Sequence, residues 1–143
     1  MMDYQTAVRG AFFDIAGVAE TPDEVAAQAR YLDDGLLFLQ EGKIIALLPW
    51  QEGEAFLHPL KGYVDLRGKL LLPGFVDAHV HYPQTEMIGA FGEQLLEWLT
   101  TYTFPVESQF ADADYAQEIA QFFVNQLISH GTTTALVFCT LHP

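Results

Sequence analysis

Apolar residues in the first half of the chain fall in short runs broken by polar or glycine punctuation, the pattern of strands and turns. Residues 6–16 (TAVRGAFFDIA) predict a strand interrupted near Gly10. Residues 35–40 (GLLFLQ) and 43–49 (KIIALLP) predict two more, joined by a tight hairpin at Glu41-Gly42, where glycine supplies a positive φ. Residues 62–66 (GYVDL) predict a fourth, and Arg67-Gly68-Lys69 is expected to turn the chain into Leu70-Leu71-Leu72. Ahead of the hairpin, Thr21-Pro22-Asp23-Glu24 has the form of a capping box and predicts a short, alanine-rich helix over residues 22–30. Residues 51–59 lack periodicity and read as a loop. Strands at this spacing imply a small antiparallel β unit.

The pattern changes after Pro73-Gly74. Residues 75–81 (FVDAHVH) predict a buried strand, and residues 82–92 a loop. Residues 93–101 (EQLLEWLTT) predict a helix that Phe104-Pro105 ends. Residues 112–130 give the clearest helix, with Tyr115, Ile119, Phe122-Phe123 and Gln126-Leu127 on one stripe. Asp112 and Asp114 suit its N-terminal dipole, His130 its C-terminal one, and Gly131 closes it. Residues 132–141 (TTTALVFCTL) predict a buried β-branched strand, with Cys139 as a core thiol. Strand, loop, two helices and strand make one βαβ unit of a parallel sheet, so the fold class is α/β.

Composition narrows the function classes. Half of the 143 residues are apolar, which argues against disorder. Six Lys+Arg against 19 Asp+Glu give a net charge of −13, the wrong sign for nucleic acid or an anionic membrane surface. One cysteine forms no internal disulfide. Met1-Met2-Asp3-Tyr4 does not open a secretory signal, and no run approaches the ~20 apolar residues of a membrane span. The expectation is a soluble, cytoplasmic protein.

The sharpest chemical signal is His79-Val80-His81. Residues two apart on a strand face the same way, about 7 Å apart at Cα, close enough for two imidazoles to share one metal ion. The motif is short, and two strand-end histidines bonded to water or backbone fit it too. Asp77 has the same parity and either supports the pair from below or caps the strand. Trp98 fits an aromatic stacking wall or a core position equally. Glu86 and Glu93 read as solvated surface, and His58 and His142 as bystanders.

Context extends the motif. The apolar run at 70–72, then Pro73-Gly74-Phe75-Val76-Asp77-Ala78 and His79-Val80-His81, resembles the first barrel strand of the amidohydrolase superfamily. His81-Tyr82-Pro83-Gln84, Gly92-Glu93-Gln94-Leu95-Leu96-Glu97-Trp98-Leu99, Tyr102-Thr103-Phe104-Pro105 and Gly131-Thr132-Thr133-Thr134-Ala135 are similar to the guanine deaminase family within it. The resemblance implies an incomplete amidohydrolase fold. Residues 1–69 would be part of the small β-sandwich domain, and residues 70–143 the first βαβ unit of a (β/α)8 barrel. It implies a hydrolase of purine catabolism that converts guanine and water to xanthine and ammonia with one Zn²⁺ per site. His79 and His81 would be metal ligands, and His81, Tyr82, Pro83, Gln84 and Trp98 would line the purine site. The intact enzyme would be a homodimer.

The resemblance also implies what these residues lack. A (β/α)8 barrel takes roughly 250 residues. The family's remaining ligands and its acid/base carboxylates would lie beyond residue 143, so no catalytic residue is assigned within the chain. The expectation is an N-terminal fragment, inactive alone, whose bare strand edges invite aggregation or a partner. Two alternatives are a fragment of another amidohydrolase, acting on a cytosine, a triazine or a cyclic amide, and a non-enzymatic binding module.

Overall fold

The computed structural model describes residues 2–59, 61–92 and 94–142. The chain divides into two compact units, Met1–Pro73 and Gly74–Pro143.

The first unit is a four-stranded sheet in the order β3-β2-β1-β4. Its strands are β1 (Thr6–Ile15), β2 (Ala29–Gln40), β3 (Lys43–Pro49) and β4 (Val64–Leu71). β1 and β2 pair antiparallel, as do β2 and β3. At the hairpin both central residues have positive φ, 50° at Glu41 and 73° at Gly42, which matches the right-handed twist of the flanking strands. The β1–β2 register shifts between Gly10 and Phe12, where the sequence pattern is interrupted. Helix α1 (Pro22–Gln28) starts on the expected capping box: the Thr21 hydroxyl accepts from the Glu24 N–H, and the Glu24 carboxylate accepts from the Thr21 N–H. It ends two residues early, because Ala29 and Arg30 already pair with Ile15 and Asp14.

Three expectations for this unit are corrected. The sheet is mixed, because β4 runs parallel to β1. Residues 64–71 form one strand with an irregularity: Asp65 pairs with Arg9 and Leu70 with Ala11, so the intervening residues bulge out opposite Gly10. Arg67 folds back within the bulge to bond Asp65 through both side chain and backbone N–H. The stretch read as a loop holds helix α2 (Trp50–Gly53) and a 3₁₀ turn (Glu54–Phe56).

Tyr4, Ala7, Leu36 and Phe38 form the core of this unit, with the Tyr4 ring edge-on to Phe38 at 5.1 Å. Beside it, Arg9 makes a forked pair with Asp34 (2.8 and 2.6 Å) and lies 3.5 Å above the Trp50 ring. These contacts suit guanidinium, which is planar and weakly hydrated.

The second unit holds β5 (Phe75–His81) and β6 (Thr132–Phe138), paired in parallel as expected. A parallel pair needs a crossover, and the longest part of it is helix α5 (Ala113–Ser129). The Asp112 carboxylate caps α5 by accepting from the Asp114 and Tyr115 N–H groups, and Ile119 and Phe123 are buried on its inner face. Phe122, placed on the same stripe by the sequence, is half exposed.

This unit also departs from expectation. The strands are not buried: Val76 is 70% exposed and Leu136 61%, and among the described residues each strand has only the other as a sheet partner. β6 stops at Phe138, and Cys139 is exposed rather than a core thiol. Residues 82–87, read as loop, form a 3₁₀ helix (Tyr82–Met87). Phe104-Pro105 does not end the preceding helix. Helix α3 (Leu95–Trp98) passes through a π turn (Leu99–Thr103) into helix α4 (Phe104–Ser108). Proline lacks an N–H and crowds the turn before it. The widened turn absorbs this, with the Phe104 N–H reaching back to the Leu99 carbonyl. Glu93, the expected start of that helix, lies outside the described residues. Among the described residues no helix is long and apolar enough to cross a membrane.

Two stability predictions follow from the first unit. Phe38 is completely buried, so Phe38→Ala should cost about 3–5 kcal/mol, read as a lowered urea midpoint. The second concerns pH. Hydrogen bonds from Arg9 and Arg30 hold Asp34 and Asp14 below the usual carboxylate range, and Arg67 holds Asp65 at about 2. A depressed carboxylate stabilises the fold above its unfolded pKa of about 3.9, and that contribution is lost as pH falls through the folded value. The urea midpoint should therefore decline as pH is lowered below about 4. Asp34→Asn should lower the midpoint at neutral pH and make the acid decline shallower.

Candidate metal and purine site

β5 carries His79 and His81 to its C-terminal end, and strand alternation puts both on one face. Their Nε2 atoms lie 3.0 Å apart. A tetrahedral metal bound at about 2.0–2.1 Å to each nitrogen would hold the two about 3.3 Å apart, so the pair is already close to a shared-ion geometry. The Asp77 carboxylate accepts from the His79 backbone N–H at 3.1 Å, which ties the residue below the pair to it. Phe138 is the register partner of His81 on β6. Its ring lies 4.8 Å from the His81 ring, nearly parallel to it, and 4.7 Å from the His79 ring. Phe138 was not singled out by the sequence reading, because only the pairing of β5 with β6 brings it beside the imidazoles.

The 3₁₀ helix begins immediately after His81. Its residues divide between two environments. Tyr82 turns into the protein, edge-on to Phe110 at 5.2 Å, and burial pushes its phenol pKa up. Pro83 is buried with it. Gln84 instead lines a cleft of about 700 Å³, together with His79, His81 and Trp98. The cleft also touches Val80, whose side chain alternates to the opposite face from the histidines. Of the five residues expected around a purine, His81, Gln84 and Trp98 therefore share this cleft, and Tyr82 and Pro83 stand apart from it.

Trp98 is fixed by its indole N–H, which donates to the Ala90 carbonyl at 3.2 Å. Gly92 makes room for it: a Cβ there would meet Trp98 Cβ at 2.6 Å. The far wall of the cleft comes from α5, including Phe123 and Leu127. His130 borders the cleft at the end of α5, where its ring nitrogen lies 2.8 Å from the Gln126 carbonyl oxygen.

Three side-chain contacts hold the 3₁₀ helix in place. Glu86, expected as solvated surface, accepts from the Tyr115 hydroxyl of α5. Burial, with that bond second, pushes the Tyr115 pKa up to about 12. Gln84 donates from Nε2 to Glu107 Oε1 of α4 at 3.3 Å. Thr103 bonds the buried Met87 sulfur at 3.7 Å. Among the described residues no cluster of three or more His, Cys, Asp or Glu side chains surrounds a possible metal position.

The arrangement has clear relatives. The model of the amidohydrolase family matches residues 70–143. The guanine deaminase of Escherichia coli is 50% identical over 96% of this chain, which spans 31% of that enzyme. A solved structure of E. coli guanine deaminase superposes with a TM-score of 0.93 at 49% identity, covering 97% of this chain and 32% of its own. Guanine deaminase from C. acetobutylicum, solved with guanine bound in the active site, superposes at 0.75 with 28% identity, over 96% of this chain and 30% of its own. The chain thus spans under a third of the length of these relatives. With the family model matching residues 70–143, the histidine pair and β6 included, this chain belongs to the amidohydrolase family, a family of hydrolases.

Proposed function

We propose that these residues belong to a zinc-dependent guanine deaminase, which hydrolyses guanine to xanthine and ammonia. The observation that carries this is the convergence of the His79 and His81 Nε2 atoms beside a cleft lined by Gln84 and Trp98. The similarity to guanine deaminases over nearly the whole chain supports the choice of substrate. So does the guanine found in the active site of the C. acetobutylicum relative. In this reading residues 1–69 are part of a small β-sandwich domain, and residues 70–143 contribute the first strand pair of a (β/α)8 barrel.

The donor set fits a metal in part. Two neutral imidazoles at a strand end are good zinc ligands, but a catalytic zinc typically takes three protein ligands. Among the described residues no third donor joins them. The ion would supply Lewis acidity and an activated water at neutral pH. The residues present do the rest of their work on the base. Gln84 offers a donor and an acceptor to a purine edge. Trp98 offers an aromatic face against which a planar ring packs. Phe138 limits the freedom of both imidazoles. No carboxylate among the described residues lines the cleft to move protons to a leaving amine, so the 143 residues by themselves are expected to be inactive.

The test is metal content and xanthine formation, measured on the full-length protein and on the 143-residue chain. The full-length protein should hold zinc and release xanthine from guanine, and the isolated chain should release none. His79→Asn and His81→Asn in the full-length protein should each weaken zinc by more than the ~10–100-fold typical of losing an outer partner of a ligand, and should abolish turnover. Zinc retained at wild-type affinity in both variants would refute the assignment of these ligands.

A further inference from the structure

Gln84 is a symmetric-looking amide with opposite chemistry at its two ends, and a purine site that reads a base edge needs one of those ends in a defined place. From the Gln84–Glu107 contact we infer that Glu107 is the positioning residue that sets this orientation, and so determines which edge of a base the cleft accepts. The inference rests on the proposed function. An ionised carboxylate only accepts hydrogen bonds. With Glu107 Oε1 at 3.3 Å, the Gln84 amide must present its nitrogen to Glu107. That contact engages the nitrogen and leaves the carbonyl oxygen as the acceptor Gln84 has for the cleft it lines. A fixed acceptor selects a ring edge bearing N–H donors. Guanine carries such donors at N1 and at its 2-amino group.

The geometry around the pair favours a positioning role over a chance contact. Both side chains are half-buried, so water competes poorly for the bond. Each end is anchored separately. The 3₁₀ helix bearing Gln84 is pinned to α5 through Glu86 and Tyr115, and the Thr85 hydroxyl donates to the Tyr82 carbonyl at 2.6 Å. Glu107 lies on α4, the segment that continues past Pro105 because of the π turn. Ending the helix at Phe104-Pro105 would remove the turn that carries Glu107.

Glu107→Gln tests this with nearly unchanged shape. A glutamine at 107 accepts or donates, so the Gln84 amide is no longer held in one orientation. In the full-length protein the KM for guanine should rise up to roughly tenfold, the scale of one hydrogen bond, while kcat stays within about twofold. Nuclear magnetic resonance of the ¹⁵N-labelled Gln84 carboxamide gives a second readout that does not depend on turnover. The wild-type protein should show a displaced, slowly exchanging amide proton, and Glu107→Gln should return it to the position of a free glutamine. An amide signal identical in the two proteins would overturn the pairing. An unchanged KM with a changed amide signal would overturn the role in selectivity. A wild-type protein that turns over no guanine would overturn the proposed function and with it the guanine edge, while the amide signal would still decide whether Glu107 orients Gln84.

Discussion

The parallel pairing of β5 with β6 is the constraint on which the candidate site depends. Alternation along β5 puts His79 and His81 on one face, but alternation alone does not bring two ring nitrogens within 3.0 Å. The register does more, because His81 opposite Phe138 places one aromatic ring against both imidazoles. Shifting the pairing by one residue would send Phe138 to the other face and leave the histidines without it. The pairing is also thinly supported. Among the described residues each strand has only the other beside it in the sheet, and much of their apolar surface is exposed.

The connection between the two strands is helical for most of its length, and its irregularities have assignable causes. The 3₁₀ helix follows His81 directly, with Pro83 buried near its start. The π turn before Phe104 reconciles a proline with a continuing helix and thereby supplies Glu107. Two carboxylates then fasten the 3₁₀ helix, Glu86 to Tyr115 and Glu107 to Gln84. This is the part of the chain where side chains of ordinary surface type serve the geometry of a cleft.

The first unit is held by different means. Its apolar core is small, and Arg9 extends it sideways by joining Asp34, Tyr63 and the face of Trp50. Those partners come from β2, α2 and the approach to β4, so one side chain links elements distant in sequence. The bulge opposite Gly10 lets β4 run beside β1 on both sides of the interruption.

Local chemistry was legible in the sequence alone. The Glu41-Gly42 hairpin, the Thr21 capping box, the acidic start of the long helix at Asp112 and Asp114 and the shared face of His79 and His81 each depend on residues within a turn or two of one another, so neighbouring residues determine them. The likeness of residues 73–107 to guanine deaminases was legible as well, because it rests on linked motifs. What only the tertiary structure decided involves partners far apart along the chain. The parallel placement of β4, the exposure of β5 and β6, Phe138 against the imidazoles and Glu107 on Gln84 belong here. A polar residue such as Glu107 gives no sign in sequence of what it will bond. Its partner lies on another element, and only the packing of the 3₁₀ helix and α4 brings the carboxylate to the amide.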